Sequence, residues 1–115
     1  MELADWLEAA AHAARDIAIG PLGASVTGWE SRATSALPSN LCGVYIPLVS
    51  EPLALQLGLL ASHDVCVHLA RALLGMTQDE ALESDEDIFD ALGEVTNLVA
   101  GGIKVRVADR CNVIL

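Results

Sequence analysis

The chain has 115 residues, enough for one domain with its own core; it is 53% hydrophobic but only 3% aromatic, so that core is built from Leu, Val, Ile and Ala. With 16 acidic against 6 basic residues the formal charge is −10, which repels phosphate backbones and anionic lipid and sets nucleic acid and membrane surfaces aside as partners. The 3 cysteines are far apart and form no CxxC pair, so they read as free thiols in a reducing cytoplasm rather than a zinc or redox motif.

Residues 3 to 19 predict an amphipathic helix. Leu3, Leu7, Ala10 and Ala14 recur at helical spacing with Trp6, Ala13 and Ile17 beside them, while Asp5, Glu8, His12 and Asp16 take the other face. Glu2 and Asp5 stand where a signal peptide would need positive charge. Gly20-Pro21 stops the helix. Residues 25 to 32 read weakly as a strand spoiled by Gly28, and residues 34 to 40 as a turn region.

The apolar segment 43 to 62 has the length of a membrane span, but Glu51 sits at its centre between Pro47 and Pro52. Alternation on both sides of "SEP" makes it a β-hairpin, with Pro47 at an edge or bulge because it lacks an N–H. Ser62 then caps a helix over 63 to 75, with Val65, Cys66, Leu69, Ala72, Leu73 and Met76 as its core stripe and Gly75 ending it. An acidic stretch containing Asp79, Glu80 and Glu83 follows, and Ser84 caps the last helix. Helix, strands, helix, helix in residues 1 to 115 predicts one α+β domain, a mainly antiparallel sheet with helices packed on one face.

The last helix carries the chemistry. Ile88, Leu92, Val95, Val99 and Ile103 form its core side, and Asp87, Asp90, Glu94, Asn97 and Gly101 line up opposite, bordered by Ala91 and Leu98. Asp90 and Glu94 are like charges one turn apart, and Asn97, Gly101 and Gly102 are poor helix formers. The periodicity fits an ordinary exposed helix ending in a Gly-rich cap. The functional alternative is a helix that presents Glu94 and Asn97 to a partner, with glycines that allow close approach.

"DALGEVTNLVAGGIK" resembles the signature of the CheC/CheX/FliY family of chemotaxis phosphatases, Asp/Ser-x3-Glu-x2-Asn, matched here by Asp90, Glu94 and Asn97. The order of hairpin and helix upstream is similar to the family's, and the single motif is closest to CheX. The resemblance implies an enzyme that hydrolyses the aspartyl phosphate of a CheY-like response regulator. Asn97 would hold the attacking water, Glu94 would pair with the regulator's active-site lysine, and Asp90, Leu98 and Gly101 would border the docking face. No cofactor of its own is implied; the magnesium ion belongs to the regulator. The resemblance also implies a cytoplasmic protein and a homodimer formed through the sheet region. The family pattern continues with a proline about two dozen residues past the Asn, which has no counterpart before Leu115, so the chain reads as a fragment or a shortened member. The competing expectation is a non-catalytic module that binds a regulator or a second copy of itself.

His12, His63 and His68 do not form a metal site with the cysteines: Cys66 and His68 point about 200° apart on a helix. GxSxG and the phosphate loop GxxxxGK[ST] are absent. Lys104, Arg106 and Arg110 read as surface charges.

Overall fold

The computed structural model describes residues 1–28, 30, 36, 39–77 and 84–115. The expected acidic residues Asp79, Glu80 and Glu83 lie outside the described residues, as do most of the expected turn over 34 to 40 and positions 29, 31 and 32 of the expected strand. Residues 25–28 run without regular structure, so the strand reading fails over that part. Gly28 interrupts its alternation, and no described neighbouring strand pairs with it.

The elements in chain order are α1 (Leu3–Ile19), β1 (Cys42–Ser50), β2 (Leu53–Ala61), α2 (His63–Leu73) and α3 (Asp85–Val107). Strands β1 and β2 form the antiparallel hairpin in unbroken register, Cys42 opposite Ala61 and Ser50 opposite Leu53. Glu51 and Pro52 make the turn. Val49 exchanges both backbone bonds with Ile114, at 3.0 and 2.8 Å, on the side away from β2. Two residues earlier Pro47 directs its backbone the same way, so its missing N–H falls on the outer edge and no bulge is needed.

Alternation assigns the two faces of the sheet. Val44, Ile46 and Leu48, with Leu55, Leu57 and Leu59 across from them, pack against the helices. Tyr45, Pro47, Ala54, Gln56 and Gly58 are exposed on the opposite face. Tyr45 lies over its cross-strand partner Gly58, where an added Cβ would come within 2.5 Å of the ring. The architecture is α+β with the helices on one face of the hairpin, as the sequence predicts.

Helix α3 supplies buried residues to both apolar clusters. Ala100, Ile103 and Val107 pack with Trp6, Ala9 and Ala13 of α1, Leu48 of β1 and Val113. One end further back, Ile88, Ala91 and Leu92 pack with Cys66 and Ala70 of α2. Two expected faces need correction. On α1 the buried residues are Trp6, Ala9 and Ala13, whereas Leu3 and Leu7 are 62% and 39% exposed. Small residues win there because α1 meets α3 at Gly102, whose added Cβ would lie 3.0 Å from the Ala13 Cβ. On α2, Cys66 and Ala70 are buried, while Val65 of the expected stripe is exposed.

Caps set the helix starts. Ser62 Oγ accepts from the Val65 N–H at 3.4 Å, and Ser84 Oγ from the Asp87 N–H at 3.3 Å. Gly75 takes φ +68°, the left-handed conformation that ends α2. Asp85, Glu86 and Asp87 in the first turn of α3, and Lys104 and Arg106 in its last, both suit the helix dipole. Arg106 pairs with Asp16, and Arg110 with Asp5 at 3.3 Å, so both arginines serve α1 contacts at the surface.

Candidate partner-facing site on the third helix

Helix α3 continues unbroken through Gly101 and Gly102 to Val107, so the two glycines are not a cap. They divide the work of close approach instead. Gly102 faces α1, as described, whereas a Cβ on Gly101 would meet nothing within 4 Å. Of the pair, Gly101 alone stands on the outward line.

That line is formed by Asp90, Glu94 and Asn97, all exposed, with Gly101 half-buried one turn beyond Asn97. Among the described residues no side chain or backbone group engages the Asp90, Glu94 or Asn97 side chains. Leu98 is half-buried at the border, as expected. Ala91, expected as the other border, is instead buried against α2.

The backing of the line is buried. Val95 and Thr96, next to Glu94 and Asn97 in the chain, are 3% and 1% exposed. Thr96 is the buried polar side chain of the core, and its hydroxyl donates to the Leu92 carbonyl at 2.8 Å, so it carries no unsatisfied group. The functional-type side chains are thus displayed by a helix whose inner side is fully packed.

Two neighbours of the line escape the sequence pattern. Gly93 lies about 40° around the helix axis from Asn97, and an added Cβ there would also meet nothing within 4 Å. Phe89 stands on the same flank and is 38% exposed, an aromatic ring beside a polar row. The signal for Gly93 is its i,i+4 spacing to Asn97, the same rule that placed Gly101. Phe89 falls between the two faces in a helical projection, so periodicity alone assigns it to neither.

Chemically, an exposed carboxylate can pair with a cation, and an exposed carboxamide offers one acceptor and two donors at a fixed point. Among the described residues no group of three His, Cys, Asp or Glu side chains is arranged to share a metal ion. His63 lies at the surface, 3.3 Å from Asp85. None of the described helices is long and apolar enough to cross a membrane.

Fold and face together define an α+β protein whose candidate site lies open on a single long helix. Residues 44–114, more than half of the chain, match the family described as chemotaxis phosphatase CheX, while no curated protein and no solved structure matches. The chain belongs to the CheX family of chemotaxis phosphatases. Helix α1 lies outside the matched region, although it covers α3 from one side.

Proposed function

We propose that this chain hydrolyses the aspartyl phosphate of a CheY-like response regulator, with α3 inserted at the regulator's acyl phosphate. The observation that carries the proposal is that Glu94 and Asn97 stand side by side on an exposed helix face, unengaged by any of the described residues, inside the segment matched by the family. Asn97 accepts a hydrogen bond from a water and holds it in line with the phosphorus. The water oxygen bonds to phosphorus as the bond to the aspartyl oxygen breaks. The products are the free carboxylate and inorganic phosphate, and the water's proton passes to a phosphate oxygen or solvent. A loose phosphoryl transition state demands positioning more than a strong base, which an amide can provide.

Glu94 pairs with the regulator's active-site lysine and fixes the register of docking. Asp90, Leu98 and Gly101 border the contact. Magnesium is held by the regulator, and this chain brings no cofactor of its own. The same reading places the protein in the cytoplasm beside its regulator, with a homodimer formed through the sheet region.

The test is the decay rate of a phosphorylated CheY-like regulator with and without this protein. Wild type should accelerate the decay, and Asn97→Ala should lose about two orders of magnitude of that acceleration, the scale of a lost positioning effect. Glu94→Ala should raise the protein concentration needed for half-maximal effect. Binding without acceleration, indifferent to Asn97→Ala, would sink the catalytic assignment and leave a docking module.

A further inference from the structure

We propose that Cys42 and Cys66 are a reversible dithiol–disulfide site, oxidised by low-molecular-weight disulfides of the glutathione class. The two residues are far apart in sequence, but Cys42 opens β1 opposite Ala61, and Cys66 lies in α2 directly after the hairpin. Their sulfurs are 3.5 Å apart. Each thiol is also held from another direction: Cys42 Sγ donates to the Ala61 carbonyl at 3.5 Å, and Cys66 Sγ approaches the Cys42 and Ala61 carbonyls at 3.7 Å. A disulfide needs the sulfurs to close to about 2.05 Å, a movement of roughly 1.5 Å. Cys111 has no such partner; its nearest sulfur is that of Met1 at 3.4 Å.

Exposure differs between the two thiols and orders the steps. Cys42 is half-buried, whereas Cys66 is 1% exposed, so an external disulfide meets Cys42 first. The Cys42 thiolate attacks one sulfur of the oxidised thiol, forming a mixed disulfide and releasing the other half as a thiolate. Cys66 Sγ then attacks Cys42 Sγ and expels the second half, which takes up the Cys66 proton as it leaves as a thiol. The sum is two protein thiols oxidised, one small disulfide reduced to two thiols, and no further reagent consumed. Cys66 needs no access to solvent, because its target arrives already attached at Cys42.

Burial, with the Cys42 hydrogen bond next, pushes the Cys66 thiol up to about 11. A reductant attacking the accessible Cys42 sulfur must expel this poor leaving group, so the bridge is removed slowly once made. The bridge joins the open end of the hairpin to α2, which packs on α3 through Ala70, Ile88, Ala91 and Leu92, the turns just before Glu94.

The experiment treats the folded, reduced full chain with excess oxidised glutathione, blocks remaining thiols with maleimide, and maps peptides by mass. The expected product is two hydrogens lighter at a Cys42–Cys66 cross-linked peptide, with Cys111 outside the bridge. Cys66→Ser should stop at a mixed disulfide, one glutathione heavier, on Cys42. In Cys42→Ser, Cys66 should stay unmodified while the protein is folded. In a Cys111→Ser background the oxidised form should unfold about 10 °C higher than the reduced form, because the cross-link restrains the unfolded chain. A wild type that halts at the mixed disulfide on Cys42, bridges that involve Cys111 as often as Cys66, or a lower midpoint on oxidation would each overturn the proposal.

Discussion

Replacing Gly101 by Ala separates what this residue does for the fold from what it does for a partner. Gly101 lies inside a 23-residue helix, six positions before its end, and its added methyl would meet no atom within 4 Å. Glycine in a helix interior costs about 0.8–1 kcal/mol relative to Ala. With no steric debit, Gly101→Ala should therefore raise stability by that amount, a shift of roughly 4 °C in the thermal midpoint for a chain of this size. If the bare backbone exists to admit a regulator, the same methyl overpacks the docked interface and should cost about 1–3 kcal/mol. That corresponds to roughly a 5- to 150-fold loss in the second-order rate of dephosphorylation. Thermal unfolding by circular dichroism and phosphate release from a phosphorylated regulator read the two effects on one preparation. A variant that is stabilised but dephosphorylates as fast as wild type would refute the idea that Gly101 makes room for a partner. Gly102→Ala is the internal contrast: its methyl presses on Ala13 at 3.0 Å, so the helix-propensity gain should be cancelled and the midpoint unchanged or lowered.

Leu92→Ala should cost about 2–5 kcal/mol in denaturant unfolding, since Leu92 is fully buried where α2 and α3 meet and that site is held from several sides; a loss below about 1 kcal/mol would show that the cluster collapses into the space. In the reduced protein, the Cys66 thiol is protonated in both folded and unfolded chains below pH 9, so its contribution is fully present there. Between pH 9 and about 11 the unfolded chain ionises first, and stability should fall by roughly 2 to 3 kcal/mol as pH rises through the folded-state value. Unfolding free energies of wild type and Cys66→Ala across that range should diverge in slope, and parallel curves would contradict the assignment.

The hairpin, the caps at Ser62 and Ser84 and the outward line of α3 were legible because each rests on a local rule: alternation, a side-chain oxygen before an apolar run, or i,i+4 spacing. Packing that depends on a distant neighbour was not. A hydrophobicity pattern ranks Leu3 and Leu7 above Ala9 and Ala13, yet the contact is decided by how closely two backbones come together at Ala13 and Gly102. The same limit hid the separate duties of Gly101 and Gly102, which differ by one position and therefore by about 100° of direction. Cys42 and Cys66 are unrelated by any local sequence rule, because only the folded hairpin returns the chain and brings its open end against α2.

Because α3 forms part of both apolar clusters, its outer face is backed by packed core along most of the helix. Freeing the segment from Ile88 to Ile103 would require opening both packed regions at once, so its amides should exchange among the slowest in the chain. A partner that docks on this face meets a helix backbone already held by packing, so the ordering entropy on this protein's side is that of its exposed side chains. Under the proposed function, Glu94 and Asn97 are then presented from helix positions whose spacing is set before the partner arrives.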